Sequence, residues 1–115
     1  MTFAEKLDFL MNITKTTNSA LAHSATLDAS YISRLRTGKR LMPKDNHMIY
    51  SMAIFLVRQF KEDYQKKALL DALKLINLPS DSSLLAEEIT HWLIKDGENS
   101  TQQVWRFLSS LSGIA

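Results

Sequence analysis

Arg34, Arg36, Lys39, Arg40 and Lys44 crowd one short stretch that holds no Asp or Glu. Guanidinium and ammonium groups at this density attract a polyanion, and an arginine fork can also meet a planar pair of acceptors with two parallel hydrogen bonds. The formal charge of the chain is only +2, but it is unevenly placed. Residues 1–60 carry eight Lys/Arg against four Asp/Glu, whereas residues 61–115 carry six against eight. The basic character therefore belongs to one place, and a local patch concentrates a polyanion far more than net charge suggests.

Other residue types that could do chemistry lack the company they need. Glu88 and His91 form one Glu-x-x-His step, but a helical di-iron site needs two such steps and two further glutamates. His23 has no carboxylate at ligand spacing and reads as a surface residue; His47 is the remaining histidine. Ser80, Ser82, Ser83, Ser109, Ser110 and Ser112 fall where helix caps and ends are expected, outside any nucleophile elbow. There is no glycine-rich phosphate loop. These observations predict a protein that is not an enzyme and needs no metal or other cofactor. The absence of cysteine excludes disulfides and thiolate metal sites and fits a reducing compartment. The N-terminal segment MTFAEKLDFL lacks the long apolar core of a signal peptide, and the longest nearly unbroken apolar run, 48–57, is too short for a bilayer, which needs ~20 residues. A cytoplasmic location with no membrane partner is expected.

The elements that would position the cations are helical. Proline and glycine are scarce and no stretch alternates like a strand, so the whole chain reads as all-α. The first helix is expected over about 2–12, with Phe3, Leu7, Leu10 and Met11 at helical spacing. Thr16 or Thr17 caps a second over about 18–25, and Asp28 caps a third over about 29–37, which Gly38 can end. Leu21 and Ala22 form the apolar side of the second helix, Ile32 and Leu35 that of the third. A fourth starts near Asp45 or Asn46 and continues to Phe60, with apolar residues on more than one face, which predicts a central position. Further helices are expected over about 62–76, about 81–95, and from a capping box at Ser100 and Gln103 through Leu111. Trp92, Trp105 and Phe107 read as core side chains that must meet the fourth helix, a second subunit, or both.

The elements Leu21-Ala22, Asp28-Ala29-Ser30-x-Ile32-Ser33-Arg34, Gly38-Lys39-Arg40 and Pro43 resemble the Cro- and phage-repressor-like helix-turn-helix family over roughly residues 3–57. The resemblance implies a four-helix DNA-binding domain over 1–60, with 61–115 as a helical extension of about three helices for packing and self-association. It implies that Ala29, Ser30, Tyr31 and Arg34 face base edges in the major groove, with Arg34 on guanine O6 and N7. Tyr31 would reach a neighbouring base or a phosphate, or else pack against the first helix. Asn18, Ser33, Thr37, Lys39, Arg40 and Lys44 would hold the sugar-phosphate backbone, while Arg36 and Lys44 also admit the reading of a solvated rim. Two features depart from the family: the fourth helix is expected to run on where many relatives have a Gly-Val turn and a fifth short helix, and the turn between the second and third helices differs at one position. Thr26 stands where most relatives have glycine, and a β-branched residue resists positive φ, so a different turn conformation is expected there. Residues 61–115 resemble no family.

The resulting expectation is a sequence-specific double-stranded DNA-binding regulator, acting as a homodimer on an inverted repeat. Two alternatives stand beside it. One is an interaction module of the same shape that does not read DNA and engages a protein partner through the acidic, Trp-bearing residues 61–115. The other is a ligand-responsive regulator with a cavity among its C-terminal helices.

Overall fold

Side-chain acceptors placed just ahead of the apolar runs start most of the helices. In a computed structural model that describes residues 1–95, those residues form six helices and no strand. They are α1 (Phe3–Thr14), α2 (Asn18–Ser24), α3 (Ala29–Thr37), α4 (Asn46–Val57), α5 (Asp63–Leu73) and α6 (Ser82–Lys95). Thr2 opens α1 with a capping box: its Oγ1 accepts from the Glu5 N–H at 3.2 Å, and Glu5 Oε1 accepts from the Thr2 N–H at 2.8 Å. Hydrogen bonding of the Glu5 carboxyl by the Thr2 backbone N–H, and then by the Thr2 side chain, holds it below its ordinary pKa. Thr17 caps α2 through the Ala20 N–H at 3.1 Å, and Asp45 caps α4 through the His47 N–H at 2.9 Å. The Asp81 carboxylate, just before α6, accepts from the Ser83 hydroxyl and from the backbone of Ser83 and Leu84, and these bonds lower its pKa.

Several helix ends differ from the sequence expectation, each for a local reason. α1 continues to Thr14 and stops at Lys15 in the left-handed region, φ +57°. α5 stops at Leu73, short of the expected 76, because Lys74 adopts the same conformation. Neither stop has a glycine to announce it. α4 ends at Val57, short of 60: the N–H groups of Arg58, Gln59 and Phe60 each bond three residues back. This tightened turn ends with the Phe60 side chain buried. Gln65, also buried, then secures the start of α5. Its Oε1 accepts from the N–H groups of Lys61 and Glu62, and its Nε2 donates to the Ile13 carbonyl of α1 at 3.0 Å.

One hydrophobic core joins all six helices. Leu7, Leu10 and Met11 of α1, Leu21 of α2, Ile32 and Leu35 of α3, Ile49, Met52 and Leu56 of α4, Leu69 of α5, and Ile89 and Leu93 of α6 are fully buried in it. α4 packs against α2 and α1 and, most extensively, against α6. The residues of 61–95 thus have no separate core. No helix among the described residues is long and apolar enough to cross a membrane. The helix expected from Ser100 to Leu111, with Trp105 and Phe107, lies outside the described residues.

Candidate functional site

α2 and α3 present their apolar residues to each other and to the core. Leu21, Ala22, Ile32 and Leu35 are buried, so the opposite side of α3 faces outward. The link between them, residues 25–28, turns at Thr26, whose φ is +58°. The expectation of a different turn conformation is therefore overturned. The Leu27 N–H donates to the Ala22 carbonyl at 2.8 Å and the Leu27 side chain packs on the core, which together hold Thr26 in the left-handed region. Asp28 occupies the N-cap position of α3 with extended dihedrals, but its side chain makes no capping hydrogen bond. Its expected role as a cap acceptor is likewise corrected.

The five clustered cations separate into two groups. Arg36 turns inward and is a clamp, not a rim. Its Nε donates to Asp8 Oδ1 at 2.8 Å, one terminal nitrogen to Asn18 Oδ1 at 2.8 Å and the other to Asn12 Oδ1 at 2.9 Å. This ties α3 to α1 and to the start of α2. Arg34, Lys39, Arg40 and Lys44 are exposed. Arg34 makes no side-chain hydrogen bond or ion pair among the described residues. Another cation is withdrawn altogether: Lys6 is buried, donates from Nζ to the Trp92 carbonyl, and lies 4.6 Å from the Trp92 ring centroid. Trp92 also meets Phe9 edge-on at 6.1 Å, so it packs α6 onto α1.

An open groove of about 780 Å³ runs along the outer side of α3, lined by His23, Thr26, Leu27, Asp28, Ser30, Tyr31, Arg34, Arg40 and Met48. It brings together Ser30, Tyr31, Arg34 and Arg40 of the expected site. Ala29, the remaining expected base contact, is half-buried and packed against the core. Asn18, Ser33, Thr37, Lys39 and Lys44 lie outside the groove lining. Asn18 is engaged by Arg36, and Thr37 Oγ1 donates to the Arg34 carbonyl at 3.3 Å. His23, Asp28 and Met48 are wall residues that sequence reasoning left out. They come from three different segments, and only the fold juxtaposes them.

The exit of α3 doubles back on the groove. Gly38 takes φ +81°, a conformation that L side chains rarely adopt. The Arg40 N–H then donates to the Arg34 carbonyl at 3.2 Å, and the Arg40 guanidinium carbon sits 5.2 Å from the Tyr31 ring centroid. The Tyr31 hydroxyl points at Met48 Sδ, 4.0 Å away. Tyr31 thus reaches toward α4. Glu88 and His91 are both exposed on α6, and no metal-holding group of three or more His, Cys, Asp or Glu occurs among the described residues. Comparisons with protein-family models, with curated proteins and with solved structures find no match.

Proposed function

We propose that this protein is a sequence-specific double-stranded DNA-binding regulator in which α2, residues 25–28 and α3 act as a repressor-like helix-turn-helix. α3 enters the major groove, Arg34 reads a base edge, and Lys39 and Lys44 hold phosphates. The observation that carries the reading is the outward side of α3: Ser30 and Arg34 are exposed on it, the Arg34 side chain makes no hydrogen bond or ion pair among the described residues, and exposed cations follow directly. One such helix reads only a few base pairs, so we infer a homodimer on an inverted repeat whose half-sites lie about one helical turn, ~34 Å, apart. The protein acts by binding, with no catalytic step, and its lack of cysteine suits the cytoplasm.

The test starts from duplexes selected from a random pool. Arg34→Ala is expected to lose ~1–3 kcal/mol of discrimination at one base position. Lys39→Ala is expected to weaken selected and scrambled duplexes alike and to flatten the salt dependence by ~0.9 in the slope of log K against log salt. Failure of the pool to yield any preferred sequence would sink the reading.

A second reading has its own support. Among the described residues of 61–95, Ile76, Tyr64 and Leu84 are large apolar side chains that are 90%, 55% and 52% exposed. They suit an interaction module that docks a protein partner without reading DNA. Tight binding to a protein, with no salt-dependent retardation of duplex DNA, would favour it.

A further inference from the structure

We propose that Arg40 is a base-reading residue and not a phosphate anchor, that Tyr31 is the positioning residue that holds it, and that the groove along α3 is built for a G·C-containing step. This inference rests on the duplex-reading function above. A cation beyond a helix end would ordinarily swing outward to a phosphate. Here Gly38 reverses the backbone, and the Arg40 N–H bonds the Arg34 carbonyl at 3.2 Å. The guanidinium is thereby folded back over the Tyr31 ring, 5.2 Å from its centroid, inside the groove that Ser30 and Arg34 line.

That placement constrains its chemistry. A ring within ~6 Å of a guanidinium attracts its charge without consuming its donors, and no hydrogen bond or ion pair among the described residues occupies the Arg40 side-chain N–H groups. A pre-set planar fork of donors matches the O6 and N7 of guanine, whereas a phosphate makes no demand for such an orientation. Asp28 supplies a second observation. Its carboxylate is exposed, makes no cap hydrogen bond, and lines the same groove. An anion there repels phosphate but can accept from the exocyclic amine of cytosine. Two arginines and one aspartate in a single groove are donors and acceptor for G·C pairs.

The experiment compares site selection and affinity for the full-length wild type, Arg40→Lys, Tyr31→Leu and Tyr31→Phe on selected and scrambled duplexes. Arg40→Lys keeps the charge but removes the fork. It is expected to lose about tenfold in selected-over-scrambled preference, concentrated at one G·C pair distinct from the one lost in Arg34→Ala, with scrambled binding within about twofold of wild type. Tyr31→Leu should lose preference at the same pair, and Tyr31→Phe, which keeps the ring, should retain it. Unchanged preference in Arg40→Lys overturns the inference and leaves the duplex-reading function standing. Equal losses in Tyr31→Phe and Tyr31→Leu overturn the positioning role of the ring. A wild type with no sequence preference overturns both the inference and the function beneath it.

Discussion

Thr26 carries a local cost that the rest of the turn imposes on it. An L residue in the left-handed region gives up about 1–2 kcal/mol, and a β-branched one is a clear outlier there. Glycine would remove that cost but return about 0.5–1 kcal/mol through its greater freedom in the unfolded chain. Thr26→Gly is therefore expected to stabilise the protein by about 0.5–1 kcal/mol, read as a higher urea midpoint at unchanged slope. A lower midpoint would mean that the threonine side chain contributes more than its conformation costs. The same scale shows what a sequence can reveal about a site. Arg34 and Arg36 lie two residues apart in α3, roughly 200° around the axis, so they cannot share a face. Periodicity separates them, but it cannot say which one finds partners. The hint was on another helix: Asp8 and Asn12 sit one turn apart on α1, a short polar pair that matches the Arg36 fork once α3 packs beside it.

Between elements, that fork sets where α3 stands. Three of the helices meet at one guanidinium: α1 through Asp8 and Asn12, α2 through Asn18, and α3 through Arg36 itself. Hydrogen bonds to a charged group contribute ~1.5–3 kcal/mol when their loss strands the partners, and the Arg36 side chain is only 18% exposed, so solvent screens it modestly. Arg36→Ala is expected to cost about 2 kcal/mol in urea unfolding. Arg36→Lys should recover less than half, because a single ammonium cannot span three acceptors as a planar fork does. Full recovery by lysine would show that charge alone, and not the fork, holds the helices together. At this scale the start of α2 was legible as a cap at Thr16 or Thr17, and that of α4 as Asp45 or Asn46; the structure selects Thr17 and Asp45. The Thr2–Glu5 box has the same kind of signature, Thr-x-x-Glu before an apolar run, and also was there to be read. The ends at Lys15 and Lys74 were not, since a lysine forced into a left-handed cap has no local sequence mark.

Over the whole molecule, the most informative element is α4. Its apolar residues on more than one face foretold a central place, and it does lie among α1, α2 and α6. Which helix covers which face was not legible, because periodicity describes faces and not partners. The answer is that α6, from the acidic half of the chain, covers α4 most extensively, and that Leu69, Ile89 and Leu93 belong to the same core as Leu7, Leu21 and Ile32. The groove along α3 therefore depends on helices that never approach it in sequence. Ile89 tests this. It is fully buried, and Ile89→Ala removes side-chain carbons that α6 contributes to the shared core. The loss is expected to be about 2–5 kcal/mol. Because the core is continuous, it should lower one common midpoint, reported alike by helix content and by Trp92 fluorescence in a chain whose Trp105 is replaced by Phe. A second transition remaining at the wild-type midpoint would show instead that α1 to α3 hold together on their own, with α6 as a dispensable cover.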